Sequence, residues 1–104
     1  MAFRVLFIAH CPDAEPEKHR SRLETGKYQL TTVLVRNQAQ ALEAARQGAK
    51  DGIHSVMLCP GFTHQDIAEI AQAVGPQVGI SVARGDGPSG KLTSEVFRKE
   101  GWFA

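Results

Sequence analysis

Only two cysteines, Cys11 and Cys59, occur in the chain. That is too few for a disulfide-stapled scaffold, and without a secretory context it points to a reduced, cytoplasmic protein. Long hydrophobic runs are missing too: no segment approaches the ~18 apolar residues of a membrane span. The opening MAFRVLFIAH holds an apolar run of only five residues, Val5 to Ala9, with no small-residue cleavage site behind it. It reads as a buried strand and not as a signal peptide. Charge of one sign is lacking as well. Twelve basic and eleven acidic side chains leave a formal net charge of +1, and no basic stripe of the kind that grips nucleic acid is present. The densest charge run, EPEKHRSRLE, mixes both signs, as on a solvated helix face. No GxxxxGKS/T fingerprint occurs. With no repeat, low-complexity tract or linker, the 104 residues read as one domain, 1–104. A chain of that size buries roughly two-thirds of its unfolded surface.

What is present is an alternation. Four short apolar segments, FRVLFIA (3–9), YQLTTVLV (28–35), SVMLC (55–59) and VGISVA (78–83), are rich in Val, Ile and Leu. Continuous apolar character suits strands of a parallel sheet buried on both faces. Between them run helical patterns. Asn37 with Gln40 three residues on opens one helix, whose Ala41, Leu42, Ala45 and Ala49 share a face, with Gly52 after its end. Thr63 with Asp66 opens the next; Ile67, Ile70, Ala71 and Val74 form its stripe and Gly75-Pro76 stops it. Between the first two strands, Pro16 and the spacing of His19 and Leu23 predict a one- to two-turn helix running to Thr25. After the last strand, RGDGPSGK reads as a glycine-rich loop, either a lid or a plain connection. A short helix is expected from Thr93 to Gly101, with Trp102 folding back on Phe97. The expected architecture is α/β: four mainly parallel strands in the order β-α-β-α-β-α-β, helices on both faces and a short C-terminal helix. Between a flavodoxin-like strand order, 2-1-3-4, and a sequential one, the former is preferred.

In such folds ligands bind beyond the carboxyl ends of the strands. The residues there are His10-Cys11-Pro12-Asp13, Arg36-Asn37, Cys59-Pro60-Gly61-Phe62 and Arg84-Gly85-Asp86-Gly87. Three chemistries compete for this rim. Gly61, Phe62 and Thr63 open a helix whose unpaired N–H groups favour an anion, with Arg84 as a bidentate partner and Asp86 as a base or orienting carboxylate. The same Pro60-Gly61 pair also suits a plain strand-to-helix turn. Cys59 stands where a helix N-terminus lowers a thiol pKa, with His10 or His64 as its base; it is equally a small buried hydrophobe at a strand end. His10, Cys11, Cys59 and His64 make a Cys/His set, but their spacing is not that of a zinc site, so no metal is assigned. A Cys11–Cys59 disulfide requires the two loops to meet. His54 precedes the third strand, at the opposite edge, and reads as a surface residue.

The series DAEPEKHR, then LCPGFTHQDIAEIAQAVG, then GISVARGDG resembles a family of short uncharacterised bacterial α/β proteins, a domain of unknown function. Its members carry a DPEKHR-like stretch, a Cys-Gly-Gly-Phe-Gly-like turn and a Val-Arg-Phe-Asp-like segment. The resemblance implies roles for His19, Arg20, Cys59, Gly61, Phe62, Arg84 and Asp86. Pro60 stands where the family commonly has glycine, and Gly85 where it has an aromatic. It supplies no activity and names no cofactor. Three functional classes follow: a module binding a small anionic metabolite at the rim, a small enzyme using Cys59 with a histidine, and a structural or interaction protein. The Trp102-Phe103 pair points to a homo-oligomer, a dimer or larger.

Overall fold

A computed structural model describes residues 1–84 and 87–102. The chain runs β1 (Phe3–His10), β2 (Arg20–Glu24), β3 (Tyr28–Val35), α1 (Gln38–Lys50), β4 (Ser55–Leu58), α2 (His64–Val74), β5 (Gly79–Val82) and α3 (Gly87–Lys99). The five strands form one sheet in the order β2-β3-β1-β4-β5. All pairs are parallel except β2 with β3. The four strands expected from their apolar runs are therefore present, in the mutual order 2-1-3-4, with β1 at the centre.

The helix expected between the first two strands is instead β2. RSRLE alternates across a strand, with Leu23 opposite Leu30 and Arg20 and Arg22 opposite Val33 and Thr31. Pro16 opens a turn and not a helix: the backbone N–H of Glu15 donates to Nδ1 of His19 at 2.8 Å. His19 and Leu23 do not face inward; both are exposed, Leu23 to 70 %. Thr25 then reverses the chain by accepting the N–H groups of Lys27 and Tyr28 on its hydroxyl, a local bond that Thr makes readily in turns. Charged side chains are suited to such an edge strand, because they discourage pairing with another chain.

The expectation of helices on both faces is corrected with it. Ala41 and Ala45 of α1 and Ile70 and Val74 of α2 share one core with Leu6, Ile8, Val33, Val35, Val56 and Leu58. Side chains alternate along a strand, so Phe3, Phe7, Leu30, Leu34 and Met57 point to the other face. The missing crossover helix would have covered that face. The caps expected for α1 and α2 are present: Asn37 accepts the N–H of Gln40, and Thr63 and Asp66 form a capping box. Gly52 and Gly75 adopt φ near +85° at the two exits, which explains glycine there.

α3 begins at Gly87, so part of the expected glycine-rich loop is helix and not lid. Its far end is as expected: the N–H of Trp102 donates to the carbonyl of Phe97 at 2.9 Å, and the two rings stack 4.5 Å apart. Among the described residues, no other element packs extensively on α3. The radius of gyration, 14.1 Å, exceeds the ~13 Å of a compact chain of this length.

Candidate functional site

The sequence-designated residues separate into two places. At the ends of β1 and β4, Cys59 Sγ lies 3.6 Å from His10 Nδ1 and accepts the backbone N–H of His10 at 3.4 Å. Phe62, buried, covers the histidine with ring centroids 4.2 Å apart. Gly61 completes the cluster: a Cβ there would stand 3.0 Å from His10 Nδ1 and 3.6 Å from Cys59 Sγ. The glycine is required for close approach and not for an unusual backbone angle. Burial lowers the pKa of His10 below its ordinary 6.5, and the nearby charge of Asp66 partly opposes this. Burial thereby favours the neutral imidazole over the imidazolium.

His64 is exposed on the first turn of α2, and the bonds of Cys59 run to His10. Thr63 and Asp66 exchange hydrogen bonds at 3.1 Å, so two of the N–H groups at this helix start are already satisfied and a carboxylate stands beside them. Arg84 is exposed just beyond β5, and Asp86 lies outside the described residues. Cys11 donates its thiol to Asp13 at 3.1 Å, which raises its pKa because the bond favours the protonated form. Both cysteines are free thiols. Among the described residues, no three His, Cys, Asp or Glu side chains converge as a metal-holding group.

The second place is a cleft of about 800 Å³ between α1 and the β2–β3 side of the sheet. Val33, Leu6, Ile53, Ala44 and Gly48 contribute apolar surface to it, and Arg4, Arg20, Arg22 and Arg36 all reach it. Arg22 donates to Thr31 and faces Glu24 at 3.9 Å, and Arg4 donates to the carbonyl of Gly52. Among the described residues, the guanidinium groups of Arg20 and Arg36 have no hydrogen-bond or ion-pair partner. Gln29, Gln40 and Gln47 add neutral donors and acceptors, and Glu15, Glu17, Glu43 and Asp51 acidic ones. Arg36 follows β3 directly and Arg20 pairs with Val33, so both arginines stand at the carboxyl end of β3.

His19 and Arg20 thus belong beside this cleft and not beside Cys59. Arg4 and Arg22 were not singled out from sequence. Reading RSRLE as a strand exposes the signal, because alternation then sends Arg20 and Arg22 to one face. His54 is half-buried and not a free surface residue: its Nδ1 accepts the N–H of Arg4 at 3.0 Å.

Fold and site together define a small α/β domain with a mostly parallel sheet, helix-covered on one face and bearing an arginine-lined cleft. The chain belongs to a family of unknown function, DUF6506, whose model matches residues 3–98. No curated protein and no solved structure matches it. No helix among the described residues is long and apolar enough to cross a membrane.

Proposed function

We propose that the protein binds a small anionic metabolite at the carboxyl end of β3, in the cleft beneath α1. The observation that carries this reading is the pair Arg20 and Arg36: two guanidinium groups at one cleft end with no partner among the described residues. A planar guanidinium takes a carboxylate or phosphate through two parallel hydrogen bonds. The apolar side chains in the cleft suit a short carbon skeleton, and the glutamines suit its hydroxyl or amide groups. The capping box of α2 argues against the alternative anion position at Gly61–Thr63, since Asp66 supplies a negative charge there. Titration calorimetry with citrate and with inorganic phosphate tests the reading. Saturable binding is expected to weaken about tenfold or more in Arg20→Gln/Arg36→Gln, in line with the net worth of a charged hydrogen bond. An intact protein that binds neither probe sinks it.

The Cys59–His10 contact supports a second reading, a thiol enzyme with His10 as base. Replacing Cys59 with Ser separates the two. The binder keeps its ligand, whereas the enzyme loses nearly all turnover.

A further inference from the structure

The face of the sheet turned away from α1 and α2 carries Phe3, Phe7, Leu23, Leu30, Leu34 and Met57, and its remaining strand positions are Ser, Thr, Ala, Gly, Val and Tyr28. Not one Asp, Glu, Lys, Arg or His projects from a strand on this side. Leu23 is 70 % exposed and Phe3 48 %, whereas Val5, on the same face of the central strand, is buried at 2 %. The same chain holds a second unpartnered apolar surface. Leu92 and Val96, one turn apart on α3, are 65 % and 57 % exposed, where side chains four residues apart on a helix lie on one face.

Size decides what can cover the sheet. Five strands spaced ~4.8 Å apart span about 24 Å, whereas a helix is only ~10 Å wide. The opposite face needs α1 and α2 side by side for this reason. The single helix α3, folded onto its own sheet, would leave more than half of the face bare. The face is also about 20 Å long, which gives a footprint of roughly 500 Å². That falls short of the ~800 Å² per partner of a stable interface. The exposed apolar patch of α3, Leu92 and Val96, is about 10 Å long and ~10 Å wide; it adds roughly 100 Å² and brings the total to about 600 Å², the lower end of the range for specific interfaces. A neutral, self-complementary face is what a two-fold contact between identical copies requires, because each residue meets the same surface on its partner.

We infer that the open sheet face is the interface of a homodimer, and that α3 of each copy completes the cover over the sheet of the other. This surface is distinct from the arginine cleft, which lies on the opposite side of the sheet, so its failure and that of the binding proposal are separable. Sedimentation velocity of the full chain over a concentration series is the test, with Leu23→Glu and Val96→Glu made singly. Both positions are largely exposed within one chain, and a circular dichroism spectrum matching the parent establishes that each variant is folded. The expected result is a parent dimer whose dissociation constant rises about thirtyfold or more in each variant, because each substitution buries an unpaired charge in the apolar contact. A parent that remains monomeric at every concentration overturns the inference, since something other than a second copy then covers the face. A dimer indifferent to Leu23→Glu also overturns it. A dimer broken by Leu23→Glu but indifferent to Val96→Glu overturns the seat given to α3. Retained citrate binding in both variants is expected, because neither residue lines the cleft.

Discussion

His10 has surroundings that pull its protonation in opposite directions. Burial at the end of β1 disfavours the imidazolium and dominates, while the carboxylate of Asp66 favours it. The unfolded chain protonates this histidine near the ordinary 6.5, the folded chain only at lower pH. Between the two values the unfolded state binds the extra proton. Stability therefore rises with pH through that window and is lost as pH falls below about 6.5. The parent's urea midpoint is expected to drop between about pH 7.5 and about pH 5.5, above the range where carboxylates titrate. In His10→Gln the drop should be smaller. An equal drop in both proteins would show that another group carries it. Asp66→Asn should move the His10 titration, followed by NMR, further down. The contact between His10 and Cys59 was only half legible in the sequence. Both residues were placed at strand ends by their apolar runs, but the choice of His10 over His64 depended on a register that no spacing encodes. Gly61, read as part of an anion-binding helix start or a plain turn, leaves room for the histidine ring.

Helices α1 and α2 were readable almost residue by residue because their signals are local. Each has a capping side chain, an apolar stripe and a glycine close behind its end. For α2 the cap can be weighed. Thr63→Ala removes an acceptor for the N–H of Asp66 and is expected to cost ~1 kcal/mol. This would appear as a lower urea midpoint with an unchanged slope. A changed slope would mean that the substitution alters more than the cap. The strand β2 was misread for the opposite reason: nothing local marks it. Its five residues are all exposed, so no periodicity of burial distinguishes it from a charged helix face. Its conformation is imposed by hydrogen bonds to β3 across a turn. The cleft was hidden by the same error, since it exists only once β2 extends the sheet beyond α1.

At the scale of the molecule, core and tail report different things. The single tryptophan, Trp102, stacks on Phe97 at the end of α3, and the sheet has none. In a dimer seated through α3, tryptophan fluorescence and far-ultraviolet circular dichroism should lose their native signals at the same urea concentration. In the monomeric Leu23→Glu variant the fluorescence transition should come first, because α3 then has little to hold it. Coincident transitions in that variant would show α3 to be anchored on its own domain. The ion pairs Lys18–Glu15 and Arg22–Glu24 are exposed and contribute little. Cohesion rests on the apolar layer between the sheet and helices α1 and α2.

β1 stands in the middle of the sheet although it is the first strand in the chain. On a ribosome it emerges long before its neighbours. One side finds β3 only when Val35 has been made, and the other waits for Leu58. At ~5–20 residues per second, the 48 residues from His10 to Leu58 take several seconds of synthesis. Throughout that interval FRVLFIAH presents an apolar strand with a bare edge. Among the strands of this sheet, the one most in need of a chaperone's shelter is therefore the one that is made first.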